Sequence, residues 1–356
     1  MTLTEVNYYT RRFSPVVLIV LLVGLILFFG VKLLFTYLSS QKVTTTTTSV
    51  PVSYDPVFDK IKPPLTGDVE KSDKYTFVLD TLDGTPNFEE ATSAAEVYFL
   101  PQKTASFGFL SKIYAMAKAA GFDTDITQHR LDDKIAIFDD GKNKLSIDIK
   151  TFNYIFSYTI TRDDNVTPPT LPVAETTLFN EASSFISGMG RYPEELARGE
   201  RNIEYMRLNP ETNEIIPLKS PESANIVEVD FFLPDRNGLP VVSSSYYNSQ
   251  HYVMFLIGEN KTKVIKAQVQ YFDRSEDQVG LYPLRSAEQA WEDLKKGKGA
   301  VVSSQAKSGE IKIQKVFLAY YDPAVYQEYV QPVYVFLGNN EFVAYVSAVR
   351  DDYLIE

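Results

Sequence analysis

IQKVFLAYYD, residues 313–322, followed by VQPVYVFLG (330–338) and EFVAYVSAV (341–349), alternates large apolar side chains with a period of two. Successive side chains of a strand point to opposite faces. Val316, Leu318 and Tyr320 therefore point one way and Phe317, Ala319 and Tyr321 the other, while Val333, Val335 and Leu337 oppose Tyr334 and Phe336. Both faces are apolar, which predicts a sheet with a helix on one side and a further layer or a partner on the other. Six tyrosines lie between Tyr320 and Tyr345. Four of them, Tyr320, Tyr321, Tyr334 and Tyr345, take sheet positions and read as structural. The Asp322-Pro323 turn breaks the alternation and leaves Tyr326 and Tyr329 on a loop, as candidate partner-binding residues.

Immediately upstream, SAEQAWEDLKKGKGA from Ser286 has the spacing of a short amphipathic helix. The same order occurs earlier in the chain. AETTLFNEASSFISGMG from Ala174 reads as a helix, and it precedes the strands ANIVEVDFFLP and LPVVSSSYY, joined by the turn Asp235-Arg236-Asn237-Gly238. Each helix follows a strand and a proline, Pro172 or Pro283. We expect an internal duplication, 163–280 and 281–356, each unit a helix on an antiparallel sheet. Before it, YTFVLDTL (75–82) and EVYFL (96–100) read as strands. Phe109, Ile113, Met116 and Ala120 recur at helical spacing up to a stop at Gly121, and Asp139-Asp140-Gly141 marks a hairpin turn. Residues 75–162 are expected to form one β-β-α-β-β-β unit.

At the N-terminus, FSPVVLIVLLVGLILFFGVKLLFTYL (13–38) runs without a polar residue from Val16 to Val31. A membrane helix needs about 20 apolar residues, and a cleaved signal has a shorter core of about 7 to 15 ending in a small-residue site. The expectation is an uncleaved single-pass helix over 13–38. Arg11 and Arg12 keep residues 1–12 in the cytoplasm, and everything beyond Leu38 lies outside the cell. Lys32 sits near the outer end, its stem long enough to reach the headgroups, and is a candidate contact to a membrane partner. Residues 39–74, with Thr44–Thr48 and several prolines, read as an extended tether.

The motifs from Ser286 through IKIQKVFLAYYD to YVQPVYVFLG and its following hairpin resemble the C-terminal PepSY-like unit of the YycH/YycI-type regulatory proteins. The layout upstream is similar too, with one N-terminal anchor, an α+β domain whose helix ends at Ala119, Gly121 and Phe122, and a duplicated unit. The resemblance implies an α+β fold and an extracytoplasmic region that modulates a membrane partner, in that family a sensor histidine kinase, through the transmembrane helix. The tether departs from the family, and no kinase-contact motif can be matched residue by residue.

The 356 residues contain no cysteine, which rules out thiolate catalysis, disulfides and Cys-based zinc sites. The formal charge is −11, and because Arg11, Arg12 and Lys32 outnumber Glu5 in the first 38 residues, the remainder is more acidic still. Nucleic acid and anionic surfaces are therefore disfavoured as partners. His129 and His251 have no second ligand at helical spacing. The Ser39/Lys42 and Ser304/Lys307 pairs lack the further elements of a penicillin-recognising site. Acidic pairs such as Asp132/Asp133 and Asp351/Asp352 fall at turns. No catalytic residue, metal ligand or cofactor is assigned. The expectation is a non-enzymatic regulatory or scaffold protein of the bacterial cell envelope, acting on a membrane protein through its transmembrane helix and its extracytoplasmic sheet. The rival is an envelope enzyme or small-ligand binder with a site of scattered Asp, Glu and Tyr.

Overall fold

Strand pairing around Tyr320 follows the period-two pattern, in a computed structural model that describes residues 20–32 and 54–355 apart from 65–69, 82–83, 87–91, 162–163, 165, 169–171, 210, 213 and 260. The chain divides into two units, Met1–Val52 and Ser53–Glu356. Of the first, residues 20–32 are described as a helix with every side chain exposed, α1. At about 1.5 Å per residue it is about 20 Å long, and among the described residues no helix is long and apolar enough to cross a membrane. The described helix is thus shorter than the span expected over 13–38. Residues 1–12, the flanks of that span and Thr44–Thr48 lie outside the described residues.

The second unit is an α+β fold. Its early strands are β1 (Glu70–Lys71), β2 (Tyr75–Leu79) and β3 (Ala94–Phe99); after α2 (Phe109–Ala119) come β4 (Gln128–Leu131), β5 (Ile135–Asp139), β6 (Asn143–Asp148) and β7 (Tyr154–Tyr158). Helices α3 (Glu175–Gly188) and α4 (Glu194–Arg198) precede β8 (Arg201–Leu208), β9 (Ile215–Leu218), β10 (Ile226–Phe231), β11 (Val241–Val242), β12 (Tyr252–Gly258), β13 (Lys261–Val269) and β14 (Val279–Pro283). Helix α5 (Ala287–Lys295) then leads to β15 (Ala300–Ser303), β16 (Gly309–Tyr321), β17 (Tyr329–Val330), β18 (Pro332–Gly338) and β19 (Val343–Ser347).

Three sheets result. A nine-stranded sheet has the order β4-β5-β6-β7-β13-β12-β10-β8-β9, a seven-stranded sheet the order β1-β15-β19-β18-β16-β11 with β2 also on β16, and a three-stranded sheet the order β14-β3-β17. The β-β-α-β-β-β grouping of 75–162 does not share one sheet. Tyr75 to Leu79 pair in parallel with Gly309 to Ile313, and β3 pairs with β14 and β17. Local alternation identifies a strand but not its partner, so two strands were misplaced. The hairpin at Asp139-Asp140-Gly141 does form between β5 and β6, with Asp140 Oδ1 accepting from the Lys142 and Asn143 amides.

The helix-then-meander order occurs twice: β8, β10 and β12 follow α3 as neighbours, and β16, β18 and β19 follow α5. The fourth strand differs. Beside β12 it is β13, which comes next in the chain, whereas beside β19 it is β15, which comes before the meander. The expected Asp235–Gly238 hairpin is also altered, because LPVV leaves the nine-stranded sheet and pairs in parallel with Tyr320 and Tyr321.

Helix α5 begins at a capping box, Ser286 with Gln289, in which side chains satisfy two amides the helix cannot. It buries Ala290, Trp291 and Leu294 against Tyr334, Phe336, Phe342 and Ala344 of the seven-stranded sheet. The other face of that sheet packs Tyr321, Val333, Val335 and Tyr345 against Val242 and Tyr246. Tyr320, Tyr321, Tyr334 and Tyr345 are at most 2 % exposed, in the structural positions read from the sequence. Helices α2 and α3 cover one face of the nine-stranded sheet, where Ile113, Met116, Leu178 and Ile186 meet Phe138, Phe156, Val229 and Phe255. Its opposite face carries a smaller cluster around Met206, Ile226, Met254 and Leu256, while Ile135 and Ile155 farther along are exposed.

Candidate functional site

A charged concavity lies between α4, the three-stranded sheet and the segment that follows β10, a cleft of about 430 Å³. Its geometry begins with a two-residue turn. Asn237 and Gly238 both have positive φ, 51° and 77°, and Arg236 and Leu239 exchange backbone hydrogen bonds of 2.8 and 2.9 Å. A turn of this type needs left-handed backbone at both central positions, which Asn-Gly supplies. It places the Arg236 guanidinium 5.0 Å from the Tyr98 ring centroid, and Arg274 stacks on the same ring at 5.1 Å.

Glu195, in the first turn of α4, joins the two arginines. Its Oε1 accepts from Arg274 Nε at 3.2 Å and Nη2 at 2.7 Å, and its Oε2 from Arg236 Nη2 at 3.4 Å and the Tyr271 hydroxyl at 2.8 Å. Burial alone raises a carboxyl, but the Arg274 and Tyr271 hydrogen bonds and the two positive charges outweigh it and hold Glu195 below its usual range. Tyr98 donates to Glu96, and Asn237 Nδ2 donates to both, at 2.7 Å to Glu96 and 2.9 Å to Tyr98. Burial and the Glu96 carboxylate push the Tyr98 phenol up to about 12. At neutral pH the Tyr98 phenol keeps its proton, and the ionised Glu195 engages both guanidinium groups. What the cluster can do chemically is fix four chain segments to one another.

A second group of charges was missed by the sequence reading. Glu228 and Asp230 alternate along β10 onto the face away from α3, and Glu228 is the cross-strand partner of Glu204. Asp230 is fully buried and Glu228 is nearly so. Burial first, then the neighbouring carboxylates, raise Glu228 to about 7 and Asp230 to about 8. The signal in the sequence was an acidic residue at alternate positions of an otherwise apolar strand, VEVDF. It was passed over because a carboxylate on a half-covered face ordinarily points to water.

Tyr326 and Tyr329 both lie against the end of β3, at Leu100 and Phe99. Tyr326 is half-buried, donates its hydroxyl to Leu100 O at 2.7 Å and rests edge-on against Phe272. Tyr329 is not on a loop. It begins β17, pairs with Phe99 and packs on Phe58 at 5.0 Å. Lys32 is the last described residue of α1. His251 is buried with Asp322 at 3.2 Å, and since its Nδ1 accepts from the Gln270 amide, Nε2 is the donor of that pair. His129 lies at the surface on Phe138. Ser304 Oγ donates to Ala306 O at 2.7 Å. Among the described residues no three His, Asp or Glu side chains converge as metal ligands.

No protein-family model and no curated protein matches the chain. Among solved structures, the chain is similar to an uncharacterized protein from Eubacterium rectale, with 14 % identity, 80 % of this chain and 90 % of that one covered, and a TM-score of 0.35. It is also similar to YycH from Bacillus subtilis, with 10 % identity over 71 % of this chain, 52 % of that one and a TM-score of 0.34. The chain thus spans about half of YycH. Neither likeness carries a functional inference at such scores.

Proposed function

We propose that this chain is a non-enzymatic regulatory or scaffold protein of the cell envelope, held by the apolar segment 13–38 with residues 1–12 in the cytoplasm and the α+β unit outside. It acts by binding a membrane protein, a sensor kinase being the partner that the resemblance to YycH/YycI-type proteins implies. One observation carries the binding role: on the nine-stranded sheet the face opposite α2 exposes Ile135 and Ile155, at 37 and 40 %, on strands that are covered on the other side. The two isoleucines sit among the cross-strand residues Asp148, Ser146 and Gln268, a mixed face of the composition that protein interfaces share. The cleft supports the same reading, since its ionised groups are locked to one another rather than poised for proton transfer. The two carboxyls that do ionise near neutrality, on Glu228 and Asp230, are buried away from solvent and from any substrate.

Photo-crosslinking side chains placed along residues 20–36 and at Ile135 and Ile155 test the proposal in membranes. Both sets are expected to capture one and the same membrane protein. Adducts confined to lipid, or scattered among unrelated proteins, would overturn it, as would hydrolysis of wall glycans or peptides that is lost on substituting a single carboxylate.

A further inference from the structure

Between β11 and β12 the chain crosses from one large sheet to the other. Its start is fixed to the seven-stranded sheet: Val241 and Val242 pair with Tyr320 and Tyr321, the Asp322 amide donates to Val242 O at 2.9 Å, and the Tyr345 hydroxyl donates to Ser243 O at 2.8 Å. Its end is fixed to the nine-stranded sheet through acidic side chains, through Ser249 Oγ, which donates to Phe231 O, and through Gln250 O, which accepts from Gln268 Nε2 at 3.2 Å. The Ser249 amide donates to Asp230 Oδ1 at 3.0 Å, and Asn248 Nδ2 donates to Glu204 Oε2 at 3.1 Å. Between these anchors Ser243 Oγ and Ser245 Oγ both donate to Asn248 O, which folds the segment back on itself. Asp230 Oδ2 is buried and accepts from no donor among the described residues. A buried carboxylate oxygen without a donor is costly when charged and tolerable when protonated.

We propose that residues 243–250 form a pH-operated latch between the two large sheets, closed while Asp230 and Glu228 carry their protons and opened when they ionise.

The surroundings decide the direction. Facing the pair are Glu204 from β8, Tyr252 from β12, which is the cross-strand partner of Asp230, and Lys266 from β13, whose ammonium lies 5.3 Å from the Tyr252 ring. From the strap itself come Asn248 and the Ser249 amide, whose hydrogen bonds favour the ionised carboxyls but are outweighed by burial and the neighbouring carboxylates. The His251 and Asp322 pair belongs to the opposite side of β12, because strand side chains alternate. Ionisation therefore sets up to three carboxylates together with one exposed ammonium as counter-charge. With the latch open the carboxyls reach water and return toward ordinary values, so opening gains up to tenfold per pH unit for each group that ionises. Opening therefore climbs from the ordinary carboxyl range, about pH 4, and levels off above the values of about 7 and about 8. The device stands whether or not the binding role proposed above is right, since it depends on contacts within the chain.

Hydrogen exchange of the full-length chain, corrected for intrinsic rates, reads the latch through peptides spanning 243–250. Opening is expected to increase at least tenfold from pH 6 to pH 8, while peptides from β18 stay protected throughout. In Asp230→Asn with Glu228→Gln the increase disappears. Glu204→Gln keeps both buried carboxyls and should make the rise smaller and end it at lower pH, which tests the idea even if the double variant does not fold. Strap exchange that is flat with pH in the wild type, a rise that survives in the double variant, or a rise left in place by Glu204→Gln would each overturn it.

Discussion

Replacing Glu195 by Gln removes the one negative charge shared by Arg236 and Arg274 while keeping the side chain's size. The side chains of Glu195, Arg236 and Arg274 are 18, 11 and 26 % exposed. Breaking a fully buried pair from one side costs about 3–5 kcal/mol, since a charge is left without its partner. Water reaches these groups in part, which screens the two stranded guanidiniums, so the expected loss is about 2–3 kcal/mol. Equilibrium urea unfolding measures it, with Trp291 as a fluorescence probe. Trp291 is the single tryptophan and packs from α5 onto Phe336 of the seven-stranded sheet, so it reports the seven-stranded half, whereas far-ultraviolet circular dichroism reports both halves. If Glu195 ties the halves together, the two transitions coincide in the wild type and separate in the variant. Adding Arg274→Met to Glu195→Gln should cost less than the two single losses together, by about 1–2 kcal/mol. Acid provides a further check. Because the folded state holds Glu195 below its ordinary value, its contribution is present above about pH 4 and lost as pH falls through the folded value. Wild type and variant should then converge in stability. A loss under about 0.5 kcal/mol, or strict additivity with Arg274→Met, would refute the reasoning.

Asp230 carries the opposite sign. Its raised value favours the protonated fold, so its contribution is complete below about pH 4 and is lost as pH rises to about 8. Urea midpoints of the wild type should decline across that interval by an amount equivalent to about 2–5 kcal/mol, and Asp230→Asn should flatten the decline. Gly199→Ala is expected to be severely destabilising, by more than about 3 kcal/mol, because a Cβ there would lie 1.7 Å from the Phe232 carbonyl oxygen; thermal denaturation checks this. Tyr326→Phe removes only the hydrogen bond to Leu100 O and should cost about 1 kcal/mol, whereas Tyr329→Ala empties a site against Phe58 and Phe99 and should cost about 3 kcal/mol. Partner capture by Tyr326→Phe that equals wild type would assign that hydroxyl to the fold alone.

The elements that repeat with a clear period were legible: the strands around Tyr320, the helix from Ser286 and the Asp140-Gly141 hairpin all depend on neighbours within a few positions. What could not be read was partnership across long separations. Tyr75 to Leu79 look like the first strand of a local unit, yet their hydrogen bonds go to Gly309 to Ile313. Val241 and Val242 follow a good hairpin turn, yet they cross to Tyr320. Tyr329 was assigned to a loop because two residues of strand next to Pro332 carry no recognisable alternation. The charged cleft was invisible for the same reason, since Tyr98, Glu195, Arg236 and Arg274 come from four separate stretches. Only the turn that aims Arg236 was written locally, as Asn237-Gly238.

The pairing of β2 with β16 also sets an order of assembly. Residues near the start of the folded unit find their partners only when the last part of the chain exists: Leu281 bonds to Asp55, and the Ile61 amide donates to Tyr353 O while Ile61 O accepts from Ile355. Such separations make closure slow. A chain emerging from its N-terminus must therefore carry the edge of β2 unpaired until nearly all of it has been synthesised, and an early edge of that kind invites wrong pairing. The same arrangement makes the C-terminal residues a clasp rather than a tail. Removing Tyr353 and Ile355 would release the segment around Ile61, and a nascent chain stopped short of Tyr353 lacks that lock.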